Sequence, residues 1–182
     1  MTKINHTKYA ILGLLTTGCQ TGYGIKQMID GSLNHFWKIS YGQIYPTLKS
    51  LEEEGLATCR QEIQDGKPDK KEYNLTVKGK EALQHWLALP LESVQPEKNE
   101  LLLKLFFSRH QQDDVTTNLL DQYAENLQER LQTYIGIETM ISETLNDNED
   151  AQYWLFTLDY GKRTTQAAIE WCDETRTALL KK

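Results

Sequence analysis

Ser40-Tyr41-Gly42-Gln43-Ile44-Tyr45-Pro46-Thr47-Leu48-Lys49-Ser50-Leu51 is the stretch whose reading decides the fold. Ser40 and Gln43 have the S-x-x-Q spacing of a capping box, in which side chain and backbone satisfy each other's donors, so a helix is expected to begin there. Ile44, Leu48 and Leu51 form its inward stripe, and Gly55 is placed to end it. At about 100° per residue the opposite face collects Gly42, Gln43, Pro46, Lys49 and Ser50, with Tyr41 and Tyr45 on its flanks. A merely solvated face would carry Glu and Lys. This one is small, polar and aromatic, and its small residues let the backbone approach a phosphate or a groove wall. We read it as a recognition surface; the competing role is that the tyrosines finish the core and Gln43 only caps. Pro46, one turn in, removes a backbone hydrogen bond and is expected to tilt the first turn.

Toward the N-terminus, Thr7 is the expected cap of a first helix carrying Tyr9, Ile11, Leu12, Leu14 and Leu15, with Gly18 at its end. A second helical stripe, Ile25, Met28, Ile29 and Leu33, spans Thr21 to Leu33. Gly22-Tyr23-Gly24 near its start lacks the third glycine and preceding strand of a nucleotide loop, so close packing is its expected role.

Beyond Gly55, Leu56 to Ile63 and Glu72 to Leu75 read as two short strands. The turn-rich run Gln64-Asp65-Gly66-Lys67-Pro68-Asp69-Lys70-Lys71 joins them, giving a hairpin with a basic tip. Lys67, Lys70 and Lys71 are candidates to touch phosphates, against the ordinary role of a solvated charged turn. A fourth helix, Thr76 to Leu89, is expected to face Val77, Leu83, Trp86 and Leu87 inward before Pro90.

Three helices, a hairpin and a further helix make the order of a winged helix-turn-helix, whose third helix enters the major groove while the hairpin touches the backbone beside it. The expected DNA-binding residues are Lys38, Ser40, Tyr41, Gly42, Gln43, Tyr45 and Lys49, with Lys67, Lys70 and Lys71 on the wing. The partner this implies is double-stranded DNA.

Four segments together resemble the PadR-like transcription regulators: Lys8 to Leu15 (KYAILGLL), Ser40 to Leu48 (SYGQIYPTL), Leu51 to Leu56 (LEEEGL) and Gly66 to Tyr73 (GKPDKKEY). Similarity is densest over residues 7–90. Asn99 to Phe107 (NELLLKLFF) and the long tail are similar to the branch that includes phenolic-acid-responsive repressors and an AphA-type activator. The resemblance implies a homodimer on a palindromic operator, usually a repressor and sometimes released by a small aromatic effector. No ligand motif carries over with it.

Pro90 to Pro96 reads as a linker, which divides the chain into a DNA-binding domain at 1–90 and a helical dimerisation and effector-sensing region at 91–182. Leu101, Leu102, Leu105 and Phe106 form an apolar patch expected to be buried. Leu120, Ala124, Leu127, Leu131, Tyr134, Glu138, Ile141 and Leu145 then alternate steps of four and three, a heptad seam with Glu138 as its one polar member. A last helix, Ala151 to Leu180, has Gly161, Thr165 and Ala168 along a side that permits close helix approach. An antiparallel helical hairpin that packs on a second subunit is expected. Phe36, Trp37 and Trp154, with Tyr153, Tyr160 and Trp171, are candidates to line an effector pocket, and His110 and Arg163 to pair an acidic ligand group; core packing is the competing role for each.

The fold class is therefore mainly α with a small β-hairpin. A net charge of -6 would argue against DNA if it were uniform. Residues 1–90, however, carry 11 Lys and Arg against 9 Asp and Glu, while residues 91–182 carry 9 against 17, so the acidity sits in the second half. Cys19, Cys59 and Cys172 are dispersed, with no CxxC pair and no metal-ligand spacing, so neither disulfides nor a metal are expected. The apolar run Tyr9 to Leu15 before Cys19 is too short for a lipoprotein signal, no stretch suits a membrane span, and a cytoplasmic protein is expected. The four histidines are scattered and no phosphate loop or nucleophile-base set occurs, so neither catalysis nor a cofactor is expected. A winged-helix adaptor without DNA binding is the alternative, and it leaves the polar face after Ser40 unexplained.

Overall fold

The computed structural model describes residues 4–62, 70–91, 93–94 and 97–181. The chain divides into two compact units, Met1–Val94 and Gln95–Lys182. The first holds α1 (His6–Thr16), α2 (Gly22–Gly31), a short 3-10 turn (Leu33–His35), α3 (Tyr41–Glu53), β1 (Ala57–Glu62), β2 (Lys70–Leu75) and α4 (Val77–Leu87). The second holds α5 (Glu100–Phe106), a 3-10 turn (Ser108–His110), α6 (Asp113–Thr144) and α7 (Ala151–Leu179).

Each helix of the first unit starts where a side chain can take an unpaired backbone donor. Thr21 accepts from Gly24 N–H at 3.0 Å and Thr76 from Gly79 N–H at 3.0 Å. Such caps contribute about 1 kcal/mol each. For α1 the cap is Asn5, accepting from Lys8 N–H at 3.2 Å, and not Thr7, which lies inside the helix. The end of α3 is a Schellman motif: Gly55 adopts φ +70°, its N–H donates to Glu52, and Leu56 N–H donates to Leu51 at 2.8 Å. That left-handed residue turns the chain directly into β1.

Ile11, Leu12, Ile25, Ile29, Ile44, Leu48 and Leu51 are essentially inaccessible and fill the space between α1, α2 and α3. Burying each such side chain contributes about 1.5–3 kcal/mol. Val77 and Leu87 are exposed, contrary to the sequence expectation, because α4 turns Gly79 and Leu83 inward instead. Trp86 is half-buried and stacks on Tyr9, with ring centres 4.9 Å apart and planes 5° from parallel.

The two strands pair antiparallel from Ala57 with Leu75 to Glu62 with Lys70. Pairing runs further than the sequence suggested, so Lys70 and Lys71 belong to β2 and not to the turn; Lys67 lies outside the described residues. The segment before α2 also pairs with β2: Tyr73 N–H donates to the Gln20 carbonyl at 2.7 Å, and Thr21 bridges Glu72. The hairpin is thereby tied to the start of α2.

In the second unit α6 and α7 are antiparallel, since Tyr134 faces Gly161, Glu138 pairs with Lys162, and Asp121 pairs with Arg176. Leu120, Ala124, Leu127, Tyr134 and Ile141 are buried along the seam. Lys162 answers Glu138, its one polar member. A β-carbon on Gly161 would lie 3.0 Å from the Tyr134 ring, which is the close approach that a small residue permits. Of the apolar patch on α5 only Leu101 is buried; Leu102 and Phe106 are exposed, and Phe106 is 82% so. A helix of this length turns one narrow face inward, toward Leu120 and Cys172, and leaves the rest uncovered. Among the described residues no helix is long and apolar enough to cross a membrane.

Candidate nucleic-acid interface

The exposed face of α3 is built from both ends of the local sequence. Gln43 closes the N-terminal turn by accepting Ser40 N–H on its Oε1 at 3.2 Å, while its own N–H donates to the Ser40 carbonyl at 2.9 Å. Helical hydrogen bonding then continues to Glu53 with Pro46 inside the helix. Ile44, Leu48 and Leu51 face the core, so Tyr41, Gly42, Gln43, Tyr45, Pro46, Lys49 and Ser50 all lie outward. No acidic residue occurs from Ser40 to Leu51.

Both tyrosines lean on α2 and neither finishes the core. Tyr45 is 60% exposed, yet one edge of its ring packs on Gly22, where a β-carbon would sit 2.5 Å from the ring. The close packing expected at this glycine is made by a tyrosine of the next helix. Tyr41 donates its hydroxyl to Asp30, and Lys26 places its ammonium 4.6 Å from the centre of the Tyr41 ring. The Asp30 hydrogen bond also raises the Tyr41 pKa above the ordinary phenol value, which keeps the hydroxyl a donor.

The nearby cations differ in their engagement. Lys8 pairs with Glu54, whose carboxyl it holds below the usual range, and Lys78 donates to the Glu54 carbonyl at 2.8 Å. Lys49 meets an exposed Glu53 at 3.5 Å, a pair worth little in water, and Lys38 is exposed just ahead of the cap. Lys71 is exposed on β2 opposite Gln61. Lys26 and Asp30 were not among the residues singled out by sequence; their one-turn spacing on the outer side of α2 was the available signal.

The effector candidates fall in both units. Phe36 and Trp37 are exposed in the first, where the Trp37 ring meets His6 edge-on at 5.1 Å. In the second, His110 is exposed, Trp154 is half-buried on α7, and Arg163 pairs with Asp159 at 2.7 Å. Tyr153 and Tyr160 are exposed, so core packing does not account for them.

Three helices, with α3 presenting an outward polar face and a hairpin and α4 behind it, define a winged helix-turn-helix protein. Residues 11–85 match the Transcriptional regulator PadR-like family, and residues 97–179 match the Virulence activator alpha C-term family. The chain belongs to the PadR-like family of transcriptional regulators, and is a regulator and not an enzyme. It is 38% identical over 131 residues to the negative transcriptional regulator PadR of Bacillus subtilis, covering 70% of this chain and 72% of the relative. A probable transcriptional regulator of Mycobacterium tuberculosis is 31% identical over 188 residues, covering 96% and 97% of the two chains. The crystal structure of Bacillus subtilis PadR in complex with operator DNA superposes with a TM-score of 0.85 at 29% identity, covering 96% of this chain and 99% of that one. The same relative in complex with p-coumaric acid superposes with a TM-score of 0.79 at 28% identity, covering 94% and 97%.

Proposed function

We propose that this regulator is a repressor that binds a palindromic operator as a homodimer, with α3 in the major groove and the wing on the adjoining backbone. The observation that carries this reading is the acid-free outward face from Ser40 to Lys49 on a chain whose net charge is -6. Phosphate contacts from Lys38, Lys49, Lys67, Lys70 and Lys71 supply affinity, and the first turns of α3 supply sequence readout. Because Oε1 of Gln43 is engaged at the cap, the side chain offers its amide hydrogens, which suit acceptors such as O6 or N7 of guanine.

Self-association is supported by apolar side chains left outward on the second unit. Tyr153, Phe156 and Tyr160 follow one line along α7, and Leu102, Leu103 and Phe106 are exposed on α5. Two reading helices set about 34 Å apart then meet successive major grooves on one side of the duplex. Release by a small aromatic acid is supported by the relative that binds p-coumaric acid and, within the second unit, by the exposed His110 and the half-buried Trp154.

Selection from a random-sequence pool with the full chain, followed by binding of the recovered duplex, tests the reading. Enrichment of a two-fold symmetric site, lost on replacing Gln43 and Lys49 by alanine, is the expected result. No enrichment, or enrichment indifferent to both replacements, refutes it. For the effector, tryptophan fluorescence and operator affinity are expected to change together as an aromatic carboxylate is titrated.

A further inference from the structure

The Tyr41 hydroxyl is one end of a longer hydrogen-bonded chain. Asp30 receives on the same Oδ1 both that hydroxyl and, at 3.0 Å, the side-chain amide of Asn34. Asn34 in turn accepts at 3.3 Å the backbone N–H of Ile39, the residue before the Ser40 cap. The connection from α2 into α3 is thus laced through a single carboxylate. Lys26, one turn earlier on α2, holds the Tyr41 ring by its ammonium.

A tyrosine at the first position of a helix has several rotamers when nothing holds it, and each aims the hydroxyl elsewhere. Here α2 fixes ring and hydroxyl together. A carboxylate beside a DNA-facing helix also repels phosphates of any sequence. Asp30 therefore acts with opposite sign on two kinds of complex: it lowers affinity for DNA at large while holding the geometry that one sequence fits.

We propose that Asp30 is a positioning residue that fixes Tyr41 and the α2–α3 connection for the operator, and so widens the gap between specific and non-specific binding. The inference rests on the DNA-reading function proposed above. Its test compares two duplexes of equal length, one recovered by selection with the unaltered full chain and one scrambled, against Asp30→Ala, Asp30→Asn, Tyr41→Phe and the Asp30→Ala/Tyr41→Phe double variant. Thermal melting is followed alongside.

Asp30→Ala is expected to weaken the selected duplex about 5- to 20-fold without weakening the scrambled one. Asp30→Asn keeps an acceptor for the hydroxyl and is expected to bind the selected duplex within roughly threefold of the unaltered chain. The double variant loses no more than the worse single one, because both remove the same contact. Additive losses, equal weakening of both duplexes, or a fall in affinity that tracks a fall in melting temperature overturns the proposal. Tyr41→Phe removes only an exposed hydroxyl and keeps the test decisive if Asp30→Ala does not fold: an unchanged ratio between the duplexes in that variant overturns the positioning role. Failure of the unaltered chain to select any sequence overturns this inference and the DNA-reading function together, whereas unchanged ratios with selection intact overturn the positioning role alone.

Discussion

Gly79 faces the carbonyl of Leu56 so closely that a β-carbon there would lie 2.0 Å from the oxygen. The first turn of α4 is thereby seated on the backbone where α3 hands over to β1, and the Thr76 hydroxyl, donating to the Gly55 carbonyl at 2.8 Å, fastens the same corner. The obstacle is backbone, which cannot step aside as a side-chain tip can. Gly79→Ala is expected to cost about 2–3 kcal/mol, seen as a drop of roughly 5–10 °C in the melting temperature. A variant that melts with the unaltered chain would show that α4 is not pressed on this corner.

Tyr73 lies buried on β2, and its hydroxyl is pushed up to about 12, chiefly by burial and then by the facing Cys59. An unfolded tyrosine ionises near pH 10. Between about pH 10 and 12 the unfolded chain therefore binds fewer protons than the folded one, and stability falls as pH rises through that window. The loss is expected to reach about 2 kcal/mol by pH 12 and to be absent below pH 9. Denaturant titrations at pH 9 and pH 11.5 measure it, and Tyr73→Phe should flatten that part of the profile.

Gly136 on α6 and Gly161 on α7 are both interior to helices but differ in surroundings. A β-carbon at Gly136 meets nothing within 4 Å, whereas one at Gly161 meets the Tyr134 ring. Gly136→Ala is expected to stabilise the chain by about 0.5–1 kcal/mol through helix propensity. Gly161→Ala should show none of that gain, because the buried ring must move. Equal gains from both in thermal melts would contradict the packing of α7 on α6.

Lys26 and Lys49 lie on the outer sides of α2 and α3, while Lys104 pairs with Glu100 on α5 of the second unit at 2.8 Å. If the first two meet phosphates, Lys26→Met and Lys49→Ala each lower the slope of log affinity against log salt by about 1. Lys104→Ala should leave the slope unchanged. Anisotropy titrations between 50 and 200 mM salt, concentrations over which such contacts are most telling, provide the comparison.

What was legible in the sequence was local. Ser40 with Gln43 announced the start of α3 three residues apart, and Gly55 announced its end, because caps are made by neighbours. The buried stripe Ile44, Leu48 and Leu51 followed from period alone. Asp30 and Lys26 show no more in the sequence than a one-turn spacing, because their meaning comes from Tyr41, on another helix. Val77 misled because the inward face of α4 is centred on a glycine, which carries no hydrophobic signal. Lys70 and Lys71 have the composition of a turn but belong to β2, since hairpin length depends on pairing across strands and not on the composition of either. Leu102 and Phe106 looked like core because a sequence shows that a residue is apolar but not what will cover it.

The antiparallel course of α6 and α7 has a practical side. Asp121, near the start of α6, meets Arg176, near the end of α7, while the connection at residues 145–150 lies at the far end of about 48 Å of helix. The start of α6 and the end of α7 therefore share one end of the helical pair, and the whole length of both helices separates that end from the turn that joins them. Extra residues placed at 145–150 would lengthen the distal tip and leave the Asp121–Arg176 end undisturbed.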